Sequence, residues 1–320
     1  MTSGLISIII PVYNKISYLE ETLSSVCNQS YPNLEILLID DASTDGSLEL
    51  LKKWSLKDPR IKLFPHAKNQ GGNKCRNIGI EKASGEFTLI FDADDLLKVN
   101  CLENRLALFE EDTDGVLCSM GVFKEVIGDM GEKLNWNPHI EGALERFFKH
   151  DLPWTIMQPL WKTQKLKDVR GFDENFQRLQ DVELHTRLLT KNLSIKVNPS
   201  KEPDCFYRVI EGRHSMDRTE FYSRWVSSAH LYFQKHKSLN KTSEKYLSGT
   251  IIETTSQLLN ASKTNEITKK TARNLFYTLL DNTLKGKNRL LILLYFNIQN
   301  SSPIRVKGFK KLVHILSHGV

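Results

Sequence analysis

The sequence lacks the motifs that mark several common classes of nucleotide-binding and metal-binding protein. No G-x-G-x-x-G turn follows its first apolar run and no P-loop occurs anywhere, which disfavours a dinucleotide-dependent dehydrogenase and a P-loop enzyme. Its five cysteines are odd in number, widely spaced and without a C-x-x-C pair. That pattern indicates reduced thiols in a cytosolic protein and argues against a disulfide framework or a cysteine-based zinc site.

Long hydrophobic runs are also absent. The apolar run Leu5 to Val12 is broken by Ser7 and Pro11, and the longest run near the C-terminus, Leu290 to Phe296, is far short of the roughly 20 apolar residues of a spanning helix. We therefore expect neither a signal peptide nor a membrane-spanning helix. The expected location is the cytoplasm, with peripheral attachment to the inner face of the cell membrane left open.

What the sequence does contain is the composition of an ordinary folded protein, with 40% hydrophobic and 26% charged residues among 320. Its formal charge of +6 is unevenly distributed. From Leu231 to Val320 there are fifteen lysines and arginines against four acidic residues, so the preceding residues carry a net charge of −5 by the same count.

Strands and helices alternate along the first hundred residues. Short apolar runs predict four buried strands, at Leu5 to Val12, Leu34 to Ile39, Ile61 to Phe64 and Phe87 to Phe91. Residues between them show the apolar spacing of helices. Because alternating strands and helices build parallel β-α-β units, we predict an α/β fold with an open, mostly parallel sheet flanked by helices.

The rest of the chain is less regular until it becomes helical throughout from Glu220. The pattern predicts helices at Val99 to Glu110, Gly142 to His150 and Gln180 to Lys191, strands at Val116 to Met120, Ser194 to Val197 and Cys205 to Val209, and an irregular segment at Gly121 to Pro138. The charge and the pattern both change near Arg213 to Thr219. We therefore expect an α/β domain in residues 1–215 and an all-helical, basic region in residues 216–320.

Polar clusters follow three of the four strands. Pro11 to Lys15 follows the first strand, Asp40 and Asp41 lie at the end of the second, and Asp92 to Asp95 follows the fourth. Because the carboxyl ends of parallel strands meet at one edge of a sheet, we expect these clusters to converge on a ligand.

The last cluster crowds three carboxylates, of Asp92, Asp94 and Asp95. Like charges this close resist ionisation unless a cation lies among them, and a divalent ion with oxygen ligands, Mn²⁺ or Mg²⁺, meets that need. The alternative is an acidic turn that caps the helix beginning near Val99.

A nucleotide diphosphate would use all three clusters. Asp41 can accept a hydrogen bond from a base N–H, Asp92 can bind ribose hydroxyls, and Asp94 can hold a metal ion shared with the diphosphate. Lys15 and Arg76 are basic residues close to the strand ends and could contact the base or the phosphates.

Five motifs in sequence order resemble those of the inverting family 2 glycosyltransferases. They are Pro11-Val12-Tyr13-Asn14, Asp40 to Ser47, Asn69 to Gly72 with Arg76 to Gly79, Asp92 to Asp95, and Gly171 to Glu174 with Gln180-Asp181. The resemblance covers about the first 215 residues. It implies a GT-A fold and inverting transfer of a sugar, of the hexosyl type, from a nucleotide-diphosphate donor, with UDP expected, to an acceptor hydroxyl. Bacterial polysaccharide or glycolipid synthesis is the implied setting.

The resemblance also implies roles for individual residues. The donor site would contain Pro11, Tyr13, Asn14, Lys15, Asp41, Arg76, Asp92 and Asp94. Within that site, Pro11 and Asp41 would line the nucleobase pocket and Arg76 would lie near the base or phosphates. Asp92 would meet the ribose, and Asp94 would coordinate Mn²⁺ or Mg²⁺.

The catalytic base implied by the resemblance is Asp181. The family's Glu-Asp pair reads Gln180-Asp181 here, so Asp181 is the only acid of the pair and Glu183 is its nearby rival. Gln180 could orient an acceptor but cannot take a proton. His214 stands where many relatives have a residue that reaches the diphosphate or metal, and a solvated loop histidine is the alternative.

Other functions remain open at the level of sequence. A nucleotidyltransferase would share the acidic metal site but would carry a glycine-rich, basic loop after its first strand. A catalytically silent relative that binds a sugar nucleotide or a partner protein is kept open by Gln180. Trp154 and Trp161 could stack on an acceptor sugar or pack in the core.

The basic C-terminal region allows two interpretations. It is either a small helical bundle with a solvated basic face or a means of attachment to anionic lipid, where a lipid-linked acceptor would be found. The expected partners are therefore a nucleotide-sugar donor, a saccharide or lipid-linked saccharide acceptor, and an anionic membrane surface. Nucleic acid is not expected, because the charges are not interleaved with aromatics in a recognisable module.

Overall fold

A computed structural model describes residues 4–131, 135–210, 217–239, 243–281, 283–284 and 286–301. The chain forms two compact units. The first comprises Met1–Glu141, Pro153–Glu174 and Arg187–Glu211, and the second comprises Gly142–Leu152, Asn175–Thr186 and Gly212–Val320. Gly142–Leu152 and Asn175–Thr186, which lie well within the first 215 residues, thus belong to the second unit. The division into residues 1–215 and 216–320 stays a prediction.

The elements follow one another in a regular order at first and less regularly later. The strands are β1 (Ile6–Val12), β2 (Leu34–Asp40), β3 (Ile61–Pro65), β4 (Phe87–Ile90), β5 (Leu96–Leu97), β6 (Gly115–Leu117), β7 (Met120–Phe123), β8 (Pro159–Lys162), β9 (Ile195–Val197) and β10 (Cys205–Arg208). The helices are α1 (Ile16–Cys27), α2 (Ser47–Lys57), α3 (Gly72–Lys82), α4 (Cys101–Leu106), α5 (Ala143–Phe148), α6 (Thr163–Asp168), α7 (Gln180–Leu189), α8 (Arg218–His236), α9 (Ser243–Lys263), α10 (Lys269–Leu280) and α11 (Gly286–Ser301).

The first unit is built on a seven-stranded sheet with the strand order β3-β2-β1-β4-β8-β6-β9. Strands β1 to β4 run parallel, β8 runs antiparallel to both of its neighbours, and β6 and β9 are parallel to each other. The predicted open, mostly parallel sheet is therefore confirmed. A smaller sheet has the order β5-β10-β7.

The central strands form because their apolar runs are buried on both faces. Ile8 in β1, Ile36 in β2 and Leu89 in β4 are completely buried, and Leu19 and Leu23 of α1 join the same core. Covering a side chain of this size removes it from water at a gain of about 1.5–3 kcal/mol each. The helices therefore cover a sheet whose interior positions are almost entirely aliphatic.

The middle of the chain departs from the prediction. The strand predicted at Val116 to Met120 is two strands, β6 and β7, and the segment predicted to be irregular begins inside β7. Gln158 explains the break, because its Nε2 donates to the carbonyl oxygens of Cys118 and Trp136, at 2.9 Å each, and draws the chain out of the large sheet. The helix predicted at Val99 to Glu110 is only the short α4, and β8 was not predicted.

The second unit is mainly helical, as predicted from Glu220 onward for the residues that the structure describes. Its core includes Tyr232, Ile251 and the stacked rings of Phe276 and Phe296, whose centres are 3.8 Å apart. The α8 helix begins where the Asp217 side chain caps it. Within the described part of the chain, no helix has the length and apolarity needed to cross a membrane.

Candidate active site

The carboxyl ends of β1, β2 and β4 lie side by side, because β1 pairs in parallel with both other strands. The N–H of Asp41 donates to the carbonyl oxygen of Val12 at 2.8 Å. The three polar clusters therefore meet at one edge of the sheet. We call this edge, formed by Pro11 to Lys15, Asp40, Asp41 and Asp92 to Asp95, the acidic edge.

An ion pair joins two of these clusters. Lys15 Nζ lies 2.6 Å from Asp94 Oδ2, and the side chains of Lys15 and Asp94 are 27% and 1% exposed. Ser47 holds the backbone of Lys15, because its Oγ accepts the Lys15 N–H at 2.9 Å. A cation from the first cluster therefore lies on the carboxylate that was predicted to bind a metal ion.

The turn that carries Lys15 depends on Asn14. Asn14 has a φ of 51°, in the left-handed region that asparagine tolerates better than most residues. Its Oδ1 accepts the N–H of Thr44 at 2.8 Å, and Ser43 Oγ accepts the N–H of Asn14 at 3.1 Å. The segment after β2 thus fixes the segment after β1. Tyr13, on the same turn, is 47% exposed.

Arg208 of β10 donates hydrogen bonds to the cluster Asp92 to Asp95. Its backbone N–H donates to Asp95 Oδ1 at 2.8 Å, and its Nε donates to the carbonyl oxygen of Asp94 at 2.9 Å. Its guanidinium also pairs with Glu21 and lies 4.4 Å from the ring centre of Phe123. The sequence did not single out Arg208, because its local pattern does not show that β10 passes beside Asp94.

Asp92 and Arg76 form a second ion pair at the acidic edge. Arg76 Nη2 lies 2.8 Å from Asp92 Oδ1, and the side chains are 13% and 27% exposed. The guanidinium of Arg76 also lies 5.5 Å from the ring centre of Phe172. Arg76 therefore orients a carboxylate that is still partly open to solvent.

Asp41 is buried and holds a loop. Its carboxylate oxygens accept the backbone N–H groups of Gln70 at 2.7 Å and Gly71 at 2.8 Å. His66 Nδ1 lies 3.2 Å from Asp41 Oδ1, and Cys75 Sγ lies 3.9 Å from the same ring nitrogen. In this structure Asp41 shapes the loop that leads into α3, and its contact with a nucleobase stays a prediction.

Among the described residues, one cluster brings its ligand atoms close enough to hold a metal ion, and the sequence predicts a second group at Asp92 to Asp95. Asp41, His66 and Cys75 place ligand atoms within 4.8 Å of one another, in a mixed set of the kind that zinc takes. Burial, followed by the charge of Asp41, raises the pKa of the Cys75 thiol to about 12, so a thiolate ligand would first have to lose a firmly held proton.

The carboxylates of Asp92 to Asp95 are the second group. Their possible ligand atoms are oxygens, which are the ligands that Mg²⁺ and Mn²⁺ prefer. The ammonium of Lys15, seated on Asp94, is a stand-in cation and marks this position as one that attracts positive charge. These residues therefore fit a divalent ion.

The residue predicted to be the catalytic base, Asp181, lies in the second unit at the first turn of α7. It is partly exposed, and its Oδ1 accepts the N–H of Val182 at 2.9 Å. Its rival, Glu183, is 1% exposed and lies 2.7 Å from Lys235 Nζ, so it is committed to an internal ion pair. Gln180 makes a 3.3 Å hydrogen bond from its amide to a backbone carbonyl.

The motif at Gly171 to Glu174 packs against α3. Asn77 Nδ2 donates to the carbonyl oxygen of Phe172 at 2.9 Å, and the Phe172 N–H donates to Asn77 Oδ1 at 2.7 Å. Gly171 has a φ of 61°, and a Cβ atom there would collide with Asn77 Oδ1. The motif therefore helps to position the helix that carries Arg76.

The roles predicted for His214 and for the two tryptophans have different outcomes. His214 lies outside the described residues, so its contact with a metal ion or diphosphate stays a prediction. Trp154 and Trp161 are 0% and 2% exposed, so they pack in the core and offer no ring face to a sugar.

Comparison with known protein families matches most of the first unit. Residues 7–164 match the sequence model described as "Glycosyl transferase family 2". The chain carries a family 2 glycosyltransferase domain. The resemblance that the five motifs indicated is therefore confirmed.

Relatives of the family 2 domain align with about a third of the chain. An uncharacterized glycosyltransferase of Haemophilus influenzae is 48% identical over 106 residues, which are 33% of this chain and 42% of that protein. Glycosyltransferase GlyG of Streptococcus pneumoniae is 39% identical over 117 residues, which are 36% of this chain and 38% of that protein. The chain thus spans less than half the length of these relatives.

Solved structures share the fold over nearly the whole chain. S. aureus TarS residues 1–349, in complex with UDP-GlcNAc, has a TM-score of 0.68 at 20% identity and covers 98% of this chain and 92% of that one. Mannosyltransferase PcManGT from Pyrobaculum calidifontis, in complex with GDP-Man and Mn²⁺, has a TM-score of 0.55 at 17% identity over 98% and 87%. This likeness confirms the GT-A type of fold followed by C-terminal helices.

Proposed function

We propose that this protein is a metal-dependent, inverting glycosyltransferase that moves a sugar from a nucleotide-diphosphate donor, with UDP as the expected nucleotide, to an acceptor hydroxyl. The observation that carries the proposal is the convergence of Lys15, Asp94 and the Arg76–Asp92 pair at the acidic edge of the family 2 domain. TarS, which shares the fold, was solved with UDP and with UDP-GlcNAc, and this supports a uridine donor.

The donor is proposed to lie along the acidic edge. The nucleoside would contact Pro11, Tyr13, Asn14 and Asp41. The ribose hydroxyls would donate to Asp92, whose orientation Arg76 already fixes. Lys15 and Arg76 would meet the diphosphate, Lys15 as a point charge and Arg76 with its planar fork of donors.

The metal ion is proposed to be Mn²⁺ or Mg²⁺, held by Asp94 with His214. When bound, such an ion offsets the negative charge that grows on the departing diphosphate. Arg208 keeps Asp94 in place through the Asp94 carbonyl oxygen, and this prepares the carboxylate for that role. The Mn²⁺ in the PcManGT complex supports a divalent ion in proteins of this fold.

Asp181 is proposed to be the general base. Its carboxylate would take the proton of the acceptor hydroxyl as that oxygen attacks the anomeric carbon from the face opposite the diphosphate, which inverts the configuration. Glu183 is engaged by Lys235, and an amide such as that of Gln180 cannot accept the proton. Asp181 is therefore the carboxylate of this turn best suited to the task.

The acceptor is proposed to be a saccharide or a lipid-linked saccharide of bacterial polysaccharide or glycolipid synthesis, reached at an anionic membrane surface through the basic C-terminal region. From Leu231 onward there are fifteen basic residues and four acidic ones, and this net positive charge supports attachment to an anionic membrane surface. Flotation with anionic and with neutral vesicles tests the attachment. Equal recovery with both, for the full chain, would contradict it.

Ligand binding tests the donor and the metal ion together. We expect UDP and UDP-sugars to raise the melting temperature of the full chain more than GDP, CDP or TDP do, and more with Mn²⁺ than without, because ligands of the native state stabilise it. Asp92→Asn is expected to weaken this response. The proposal would be contradicted if none of the nucleoside diphosphates, with or without Mn²⁺, raised the melting temperature of the folded protein.

A catalytically silent sugar-nucleotide-binding protein is the second candidate, and the glutamine at position 180 favours it. It predicts UDP binding without turnover. Gln180→Glu restores the family's pair of acids, so turnover that appears only in this variant would support the silent protein. Turnover in the native chain would exclude it.

A further inference from the structure

Lys15 places the chain's own cation on the carboxylate that is proposed to bind the metal ion. Its Nζ lies 2.6 Å from Asp94 Oδ2, and the Asp94 side chain is almost completely buried. A divalent ion on the same oxygen would face the ammonium directly, and like charges this close repel. The ammonium of Lys15 and a divalent ion therefore compete for Asp94.

Lys15 and Arg76, the cations proposed to meet the diphosphate, differ in how freely they can move. Arg76 is paired with Asp92 and packed over Phe172, and its guanidinium is a rigid plane. Lys15 ends in a compact ammonium on a flexible four-carbon stem, and its side chain is 27% exposed. Because Ser47 anchors the backbone of Lys15, the stem can swing while the turn keeps its shape.

We propose that the ammonium of Lys15 occupies Asp94 and excludes metal ions from it until a nucleotide diphosphate attracts the ammonium away. The donor and the metal ion then bind together rather than independently. The inference rests on the proposed function, since the donor's diphosphate receives the ammonium. A diphosphate carries more negative charge than one carboxylate and can accept both cations. Metal binding and the transfer of Lys15 from Asp94 to the phosphates are then one coupled event.

The coupling has measurable consequences. Without nucleotide, the native chain binds Mn²⁺ weakly, and UDP raises its affinity for Mn²⁺. By linkage, Mn²⁺ raises the affinity for UDP by the same factor. Replacing Lys15 by a neutral residue removes the competitor, so we expect the affinity for Mn²⁺ without nucleotide to rise at least tenfold and the gain caused by UDP to shrink.

Titration with Mn²⁺, followed by the paramagnetic resonance signal of the free ion, tests this in the full chain with and without UDP. Lys15→Gln keeps an amide that can donate to Asp94, and Lys15→Met is a second neutral variant. Lys98→Gln removes the same charge from an exposed pair with Glu202, 2.6 Å long, and controls for net charge. Thermal melting checks that each variant is folded.

We expect tighter binding of Mn²⁺ in the Lys15 variants but not in Lys98→Gln, and we expect the gain to vanish in Lys15→Gln/Asp94→Asn. Equal affinity of the native and Lys15→Gln chains without UDP would overturn the inference, as would a gain that survives Asp94→Asn. Failure of UDP to bind any variant would instead contradict the proposed function, and the titration without nucleotide would still report the competition at Asp94.

Discussion

If Asp181 is the general base, turnover depends on the ability of its carboxylate to accept a proton and not on the shape of its side chain. Asp181→Asn keeps the size and an oxygen that can accept the Val182 N–H, now 2.9 Å from Asp181 Oδ1, but it removes the proton acceptor. We expect turnover to fall about 10²- to 10⁴-fold, the usual contribution of a general base. UDP binding should be retained. Initial rates and calorimetry on the same preparation measure both.

Asp168→Asn is the matched control, because it makes the same change on the exposed surface of α6. It should leave turnover unchanged. An Asp181→Asn variant with native turnover would remove Asp181 as the base. If UDP binding were lost along with turnover, the role of Asp181 would lie in binding or folding.

The ionised carboxylate of Glu35 is expected to stabilise the folded first unit. Burial alone would raise the pKa of the Glu35 carboxyl, but Lys62, 2.7 Å away, and the hydroxyl of Ser7 outweigh that effect and bring the pKa to about 2. One unit of pKa corresponds to about 1.4 kcal/mol, so the shift from 4.5 is a stabilisation of about 3 kcal/mol.

We therefore expect Glu35→Gln to lower the free energy of unfolding by about 3 kcal/mol at pH 7. Because the pKa is depressed in the folded state, this contribution is complete above pH 4.5 and is lost as the pH falls toward 2. The native and Glu35→Gln curves of stability against pH should converge over that range. Urea unfolding at a series of pH values measures it.

Glu202→Gln breaks an ion pair of similar length, 2.6 Å, whose carboxylate is 71% exposed. Surface pairs contribute only about 0–1 kcal/mol, so this control should change little. A Glu35→Gln variant as stable as Glu202→Gln would show that the buried network does not stabilise the charge.

At the scale of elements, the turn at Gly171 packs against α3 through Asn77, and its glycine is needed for two separable reasons. The φ of 61° strains any residue with a Cβ atom by about 1 kcal/mol or more, and the Cβ atom would also collide with Asn77. We expect Gly171→Ala to lower the free energy of unfolding by about 3 kcal/mol, since forced contacts in packed regions cost about 1–3 kcal/mol more.

Gly142→Ala separates the two causes, because Gly142 has the same φ of 61° and its nearest neighbour, in Glu145, lies 3.8 Å from the added Cβ atom. It should lower the free energy of unfolding by only about 1 kcal/mol. Equal losses in the two variants, measured by urea unfolding, would mean that the contact with Asn77 adds nothing.

The strands and helices were predictable where burial imposes a simple apolar pattern on the sequence. The first four strands are continuous apolar runs because both faces of a parallel sheet are covered, and the runs coincide with β1 to β4. The antiparallel β8 was missed because a short run containing proline and tryptophan has no such signature. The split between β6 and β7 depends on Gln158, a polar residue 40 positions from Cys118, and no local pattern reports such a bond.

At the scale of the whole molecule, strand direction made the acidic edge predictable, but its contacts were not. The meeting of three strand ends follows from the parallel order alone. The ion pair of Lys15 with Asp94 joins residues 79 positions apart, and the hydrogen bond from the backbone N–H of Arg208 to Asp95 joins residues 113 apart. Spacing along the chain cannot show which cation reaches which carboxylate. The contact of Lys15 with the donor therefore stays a prediction, and its pairing with Asp94 was not foreseen.

The two units should also respond to acid over different ranges of pH. His185 of the second unit is completely buried, and burial lowers its pKa to about 3 from an ordinary value of 6.5. The unfolded chain binds this proton more readily than the folded one, so stability is complete above pH 6.5 and falls by about 1.4 kcal/mol per pH unit toward pH 3. The corresponding range for Glu35 in the first unit begins only at pH 4.5.

Hydrogen exchange measured peptide by peptide, and corrected for the intrinsic effect of pH, can follow each unit in the full chain. Between pH 6.5 and 4.5 we expect protection to decline in peptides of α8 and α9 before it declines in β1, β2 and β4. His185→Leu removes the titrating group and should flatten that decline, whereas His139→Leu, at an exposed histidine, should not. An unchanged decline in His185→Leu would mean that another group in the second unit, and not this buried imidazole, sets its sensitivity to acid.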